Sequence, residues 1–365
     1  MKVPLVDLNT QYLNIKDEID KAISEVIESS SFIGGKYVNT FEDDFVKFTK
    51  SKNVIGVGNG TDALTIALKS LKLPPDSEVI VPANSFIATS EAVTNAGNKL
   101  IFCDIDPNTY LIDLNIVEQL ITPSTSAIIP VHLYGQMVDM KALKDIADKH
   151  GLVVIEDAAQ AHGVQYNGIT VGELSNCACY SFYPGKNLGA YGDGGAITTN
   201  DNTLANKIRK YVNHGRSEKY NHEFEGINSR LDGLQAAILS VKLKYLPSWN
   251  TQRRKAANYY NDLIKELGLQ LPITDDENRH VYHLYVTQVR NRDEVVQKMK
   301  TKGVGVGIHY PIALPFLEAY KKLGHCTDDF PIVSKQMHQL ISLPIFPEIT
   351  IEQIKYTVDC LRTSL

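Results

Sequence analysis

The chain has 365 residues, with 37 lysines and arginines against 42 aspartates and glutamates, a net charge of -5 and 43% hydrophobic residues. That balance describes a globular enzyme long enough for two domains, or for one large α/β domain with an appendage, and argues against a disordered or fibrous chain. The basic residues are scattered rather than gathered into a stripe, which argues against nucleic-acid or membrane-surface partners and leaves room for a small anionic substrate.

The opening, MKVPLVDLNTQYLN, lacks a charged segment followed by an apolar one, and no run reaches the about eighteen apolar residues of a spanning helix. A cytoplasmic protein with no membrane partner is expected. From residue 53, short β-branched runs alternate with amphipathic stretches: NVIGV then DALTIALKSL, EVIVP then FIATSEAVTNAG, KLIFCDI then DLNIVEQLI, AIIPVHL then MKALKDIADKH, and then LVVIED. This order predicts βαβ units and a mainly parallel sheet. CACYSF and GAITT follow as two strands in a hairpin-like or crossing element, with Cys177 and Cys179 on one strand face in the core.

Long helices are predicted over 231–245 and 248–267, bridging to a smaller α/β domain. The boundary is expected at residue 247, with a large domain over 1–247 and a small one over 248–365. In the smaller unit HLYVTQV reads as a strand, DEVVQKMKTKG as a helix, VGVGIHYP as a further alternating stretch, and 331–341 and 350–363 as helices. The five cysteines form no CxxC pair, so neither a disulfide framework nor a cysteine zinc site is expected. His280 and His283 read as strand residues facing opposite sides, and no metal site is expected there.

Ligands of open α/β sheets bind beyond the carboxyl ends of the strands, and four such loops carry unusual residues. GVGNGTDAL ends a strand and opens a helix, placing Thr61 and Asp62 where free amides attract a phosphate. It lacks the GK[ST] of a nucleoside-triphosphate loop and the third glycine of a dinucleotide fingerprint. A plain glycine turn with a threonine N-cap is the alternative. A nicotinamide enzyme would also need an acid at the end of the second strand, whereas Glu78 stands at its start. Phe86, in VPANSFIAT, is a ring against a ligand face or a core aromatic.

In VVIEDAAQAHG an apolar strand ends in Glu156 and Asp157. An acid there suits magnesium or a cationic ring nitrogen, and burying it without a partner is costly. Gln160 shares that cavity if the chain turns helically, and is otherwise a surface residue. In SFYPGKNLGAYGDGGAI, Lys186 lies among Ser181, Tyr183, Pro184 and several glycines, so the backbone can approach a ligand closely. A poorly solvated lysine loses proton affinity, and its free amine attacks carbonyls to form a Schiff base. Phosphate cradle, aromatic face, acid and shielded lysine together suit pyridoxal 5′-phosphate, whose ring becomes an electron sink once its nitrogen is protonated.

FIGGKYVNTFE, GVGNGTDAL, VPANSFIAT, PVHLYGQMVDM, VIEDAAQAHG, SFYPGKNLGAYGDGGAI, INSRLDGLQAA and IHYPIAL, spread over nearly the whole chain, resemble the DegT/DnrJ/StrS family of sugar aminotransferases. The resemblance implies the aspartate aminotransferase (type I pyridoxal-phosphate) α/β fold, with Lys186 carrying the cofactor, Asp157 on its ring nitrogen, Gln160 near its O3′ oxygen and Phe86 on its ring face. Ser181 and the amides of Thr61 and Asp62 would hold the phosphate, with Asn228 reaching it from the second subunit of a homodimer that shares its active sites. A nucleotide-linked keto-sugar would meet Tyr183, Arg216, Lys219, His309 and Tyr310. Family members with dehydratase activity have histidine in place of the lysine, so Lys186 implies transamination from L-glutamate. A dTDP-3-keto-6-deoxyhexose is the implied acceptor, with a UDP- or dTDP-4-keto sugar as the alternative, and a silent regulatory protein of the same fold as the alternative of another class.

Overall fold

The computed structural model describes residues 1–274 and 278–365. Three helices precede the first strand: α1 (Leu8–Asn14), α2 (Lys16–Glu28) and α3 (Lys36–Thr49). In α3, Val38, Phe41 and Phe45 recur at spacings of three and four and so share one buried face. Phe182 meets Phe41 and Phe45 edge-on, which docks the helix beneath the later active-site loop.

The predicted alternation is present as β1 (Asn53–Val57), α4 (Gly60–Leu71), β2 (Glu78–Pro82), α5 (Ile87–Ala96), β3 (Lys99–Cys103), α6 (Leu114–Leu120), β4 (Thr125–Ile128), α7 (Met140–His150) and β5 (Val153–Asp157). A minor hairpin, β6 (Gln165–Tyr166) with β7 (Ile169–Thr170), leads to β8 (Cys177–Ser181) and β9 (Gly195–Thr199). The seven-stranded sheet has the order β1-β9-β8-β5-β4-β2-β3. Only β9 runs against its neighbours β1 and β8; the other pairs are parallel. The carboxyl ends of β1, β2, β5 and β8 therefore share one edge, which gathers the four loops singled out above. Cys177 and Cys179 are buried on one face of β8. The AIIPVHL run yields a shorter strand than expected, since Pro130 has no amide for the ladder.

Beyond α8 (Asn202–Tyr211), an exposed hairpin, β10 (Arg216–Glu218) with β11 (Asn221–His222), precedes α9 (Gly233–Leu243) and α10 (Leu246–Lys265). The remainder holds β12 (Tyr285–Gln288), α11 (Arg292–Thr301), α12 (Pro331–Gln336), β13 (Leu340–Leu343) and α13 (Ile351–Arg362). Two expectations are corrected. The helix expected to 341 stops at Gln336, because Leu340–Leu343 pairs antiparallel with β12 as a fully buried strand whose apolar run is ambiguous by periodicity. The strand expected from residue 280 starts at Tyr285, and VGVGIHYP contributes only single bridges, such as Gly307 to Ser342. A second apolar cluster joins α10, β12, α11, β13 and α13 through Tyr260, Tyr285, Met299, Ile341 and Val358. No helix among the described residues is long and apolar enough to cross a membrane.

Candidate active site

Strand β5 ends in two acids that its pleat sends to opposite faces. Glu156 is fully buried and satisfied within the protein: its carboxylate takes Gly172 N at 2.8 Å, Ser175 Oγ at 2.5 Å and His132 Nε2 at 2.6 Å. His132 Nδ1 accepts Val138 N at 3.2 Å, so Nε2 carries the hydrogen that Glu156 receives. Asp157 turns to the other face. It accepts Thr89 Oγ1 at 2.7 Å and Ala159 N at 3.1 Å, and Ser85 Oγ supports Thr89 at 2.7 Å. Sequence reasoning missed Thr89; its one signal was a hydroxyl in the first turn of the helix after Phe86.

Lys186 lies in a turn closed by its own amide on Tyr183 O at 2.8 Å, half-buried in the cleft. Burial pushes its amine down to about 8, and the nearby Asp157 charge offsets part of that fall. Three imidazoles interact with the amine: His162, held near 3, His309, held near 4, and His283, held well below the usual histidine range. Burial is the main cause in each, with the Lys186 charge adding to it. The lysine is thus surrounded by one carboxylate and a set of neutral rings.

At the end of β1, Asn59 caps α4 by accepting Asp62 N at 2.8 Å. The cap is Asn59 rather than Thr61, and the expectation that the Asp62 amide is free is corrected. In the first turn of α4 the amides of Gly60 and Thr61 have no partner among the described residues. The Asp62 carboxylate instead accepts Ser229 Oγ at 2.6 Å. Ser181 ends β8 against this helix mouth, so closely that a Cβ on Gly60 would lie 2.7 Å from Ser181 Cβ. Glycine is required there for the helix N-terminus and the serine to lie against each other, an arrangement whose donors suit an oxyanion. The Ser181 hydroxyl accepts Tyr183 N at 3.3 Å and keeps its own hydrogen to donate.

Phe86 is 55% exposed although aromatic, and its ring stands 6.0 Å from that of Tyr310. Gln160 is buried in a turn in which Ala161 N reaches Ala158 O at 2.9 Å. Its oxygen takes Tyr134 N at 2.6 Å and its nitrogen donates to Tyr310 OH at 3.3 Å, so Tyr310 joins this cluster as a pocket wall. His309 Nδ1 meets Ser342 Oγ at 2.7 Å, and its carbonyl takes the Tyr134 hydroxyl.

The other expected residues lie outside this cluster within one chain. Tyr183 is exposed at the rim, and Asn228 is exposed at the base of the β10–β11 excursion, bridged to Asn213. Arg216 and Lys219 stand exposed on that hairpin, with Lys219 over the Tyr220 ring at 5.3 Å. His280 and His283 precede β12 in irregular chain, and no cluster of three or more metal-ligating side chains occurs among the described residues. Glu78 stands at the amino end of β2, taking Thr122 Oγ1 at 2.5 Å, remote from the carboxyl edge. A separate cavity of about 200 Å³, lined by Phe48, Thr170, Asn250, Arg254 and Arg279 among others, contains neither Lys186 nor Asp157.

An oxyanion cradle, an exposed aromatic face, a hydrogen-bonded carboxylate and an amine of lowered proton affinity together fit a phosphorylated pyridine aldehyde. Comparison with known proteins agrees with that geometry. Residues 13–362 match the model of the DegT/DnrJ/EryC1/StrS aminotransferase family. The chain is 48% identical over 362 residues to the pleiotropic regulatory protein of Geobacillus stearothermophilus, covering 98% of this chain and 97% of that one. It is 44% identical over 361 residues to the dTDP-3-amino-3,6-dideoxy-alpha-D-galactopyranose transaminase of Aneurinibacillus thermoaerophilus, covering 99% of each. Among solved structures it resembles S. venezuelae DesV in complex with a ketimine intermediate, with a TM-score of 0.96, 39% identity, and coverage of 99% of this chain and 98% of that one.

Proposed function

Since this chain belongs to the DegT/DnrJ/EryC1/StrS aminotransferase family and is a pyridoxal-phosphate-dependent sugar aminotransferase, we propose that it transfers the amino group of L-glutamate to C-3 of a dTDP-linked 3-keto-6-deoxyhexose. The observation that carries the reading is the half-buried Lys186, whose amine is pushed down to about 8 beside Asp157. Transfer to C-3 is supported by the 44% identical transaminase of a dTDP-3-amino-3,6-dideoxyhexose.

Pyridoxal phosphate, when bound, supplies an electron sink for the charge left as the amino acid Cα–H bond breaks. The residues of this chain do the rest. Ser181 with the Gly60 and Thr61 amides would hold the phosphate, Phe86 would cover one ring face, and Gln160 would lie near the ring hydroxyl. Asp157, oriented by Thr89 and the Ala159 amide, would face the ring nitrogen and favour its protonated form. Lys186 is the group that would hold the cofactor and, once released, would take the proton from the amino acid Cα as general base and give it up again as general acid. The donor would leave as 2-oxoglutarate, its new carbonyl oxygen supplied by water; the keto-sugar would then enter, receive the amine through the same proton movements in reverse and give up its carbonyl oxygen as water.

Tyr183 at the rim and His309 and Tyr310 at the wall face the hexose in this reading. Arg216 and Lys219 offset the diphosphate charge, and the exposure of their hairpin and of Asn228 suits a homodimer in which each copy completes the other's site. The 48% identical relative bears a regulatory name; a regulatory role for this chain would need neither Lys186 nor Asp157 in working geometry. Incubation with L-glutamate and a panel of 3-keto and 4-keto nucleotide sugars, with the new amine located by NMR, tests the reading. Amination at C-4 would overturn the C-3 assignment, and a colourless protein that gains no visible band with added cofactor would favour the regulatory role.

A further inference from the structure

The pocket wall formed by His309 and Tyr310 lies between two tethered ends. Gly307 exchanges backbone hydrogen bonds with Ser342 at 3.1 and 2.9 Å, and Leu314 N donates to Ala83 O at 2.9 Å. From 308 to 312, among the described residues, the backbone makes a single hydrogen bond: His309 O accepts the Tyr134 hydroxyl. Pro311 has no amide to offer, and it and Ile312 are exposed. A stretch so sparsely bonded has little of its own to keep it in one shape.

Tyr134 comes from the chain between β4 and α7, 175 residues away in sequence. It is buried and has a φ of +60°, a left-handed conformation that a bulky residue keeps only where its surroundings hold it. Both ends of the residue are held. Its main-chain amide donates to Gln160 Oε1 at 2.6 Å, and its ring stands edge-on to Tyr110 at 5.7 Å. At the far end Asn84 Nδ2 approaches the phenol oxygen at 3.3 Å. A carbonyl only accepts, so the phenol hydrogen lies on His309 O, and the phenol oxygen receives from Asn84. Burial pushes this phenol well above its ordinary value, so the hydrogen stays in place at neutral pH.

The same residue acts on Tyr310 by a second route. Because Gln160 Oε1 is taken by an amide donor, the nitrogen of Gln160 is the end that reaches Tyr310 OH at 3.3 Å. Tyr310 therefore accepts from Gln160 and keeps its own hydrogen for a ligand.

We propose that Tyr134 is a positioning residue for the acceptor sugar: its hydroxyl holds the His309–Tyr310 wall in place, and its amide turns Gln160 so that Tyr310 offers a hydrogen to the hexose. No bond forms or breaks at Tyr134. A wall fixed before the sugar arrives need not be ordered at the expense of binding. L-glutamate carries no hexose, so the effect belongs to the second half of the reaction. The proposal rests on the reading of His309 and Tyr310 given above.

Tyr134→Phe removes the hydroxyl and leaves the amide on Gln160, so it isolates the first route. Calorimetric titration of the enzyme loaded with pyridoxamine 5′-phosphate, using dTDP alone and the dTDP-linked 3-amino-3,6-dideoxyhexose, tests it without turnover. Affinity for the amino-sugar should fall roughly fivefold to tenfold, the worth of one hydrogen bond, while dTDP binds as it does to the parent. In stopped-flow measurements the half-reaction with L-glutamate should keep the parent's rate, and the KM for the keto-sugar should rise by a similar factor. Equal affinity of parent and variant for the amino-sugar, or a loss shared equally by dTDP and L-glutamate, overturns the proposal and leaves the cofactor reading intact. A parent that loses its visible band with L-glutamate but binds no dTDP-linked sugar overturns the hexose reading and the proposal with it.

Discussion

Thr89, in the first turns of α5, donates its hydroxyl to Asp157 Oδ2 at 2.7 Å across 68 residues of sequence, with Ser85 behind it at 2.7 Å. A carboxylate held by such a bond keeps a fixed orientation and faces a cationic ring nitrogen without first having to reorganise. Thr89→Val keeps the shape and removes the donor. Turnover with saturating cofactor should fall by about fivefold to tenfold, the worth of one such hydrogen bond. A variant with parental kcat/KM would show that Asp157 needs no help from α5.

The lowered proton affinity of Lys186 makes stability depend on pH with a definite sign. Below about 8 the amine is charged in both folded and unfolded protein, and burying that charge costs the folded form. As pH rises from about 8 toward the ordinary lysine value of 10.5, the unfolded chain keeps the proton that the folded one has lost, so folding gains. Lys186→Met in cofactor-free protein should therefore be more stable at neutral pH by roughly 1–2 kcal/mol, the converted shift discounted for the open side of the cleft. The gap should close as pH climbs through that window. Denaturation midpoints of both proteins over a pH series would check it, and a gap that widens with pH would contradict it.

Gly60→Ala tests the cradle. Its Cβ would fall 2.7 Å from that of Ser181, and both belong to backbone-anchored elements, so the helix mouth must shift. Cofactor affinity, titrated by absorbance, should weaken by about tenfold or more, because the amide geometry is what selects the oxyanion. Ser181→Ala removes one donor without the clash and should cost less. Equal affinities in all three proteins would place the phosphate elsewhere.

The two acids of β5 should separate cleanly. Glu156→Gln disturbs a buried network with His132, Gly172 and Ser175 and should lower stability by about 1–3 kcal/mol while the visible cofactor band persists. Asp157→Asn should leave the melting temperature nearly unchanged and reduce turnover by orders of magnitude. Thermal melts and single-turnover rates of the two variants settle which acid does which work.

Shared sites predict complementation. Lys186→Ala and Asn228→Ala proteins, mixed under conditions of verified subunit exchange, should regain activity above either alone, since one site in the hybrid would carry both native residues. Exchange without any gain would place Asn228 in its own subunit's site or in none.

Much of the site was legible because some residues declare their chemistry locally. Asp157 ends a strand too apolar to carry an idle acid, and Lys186 sits among glycines that serve no solvated side chain. Thr61 opens a helix after a glycine turn. The cap itself was also readable, since Asn59 stands three residues before Asp62, yet Thr61 is the more conventional guess at that turn. Leu340–Leu343 was not readable, because a mostly apolar four-residue run, Leu-Ile-Ser-Leu, beside a helix is too short to show a period of its own.

The order of β-branched and amphipathic runs by itself determined a mainly parallel sheet, and with it the edge on which four loops would meet. Which of two adjacent acids faces that edge and which hydroxyl supports it were decided only in the folded chain. Those outcomes depend on hydrogen bonds between residues distant in sequence, such as Thr89 with Asp157, 68 positions apart. Such bonds are directional and short-ranged, so they exist only once packing has brought both partners to one place.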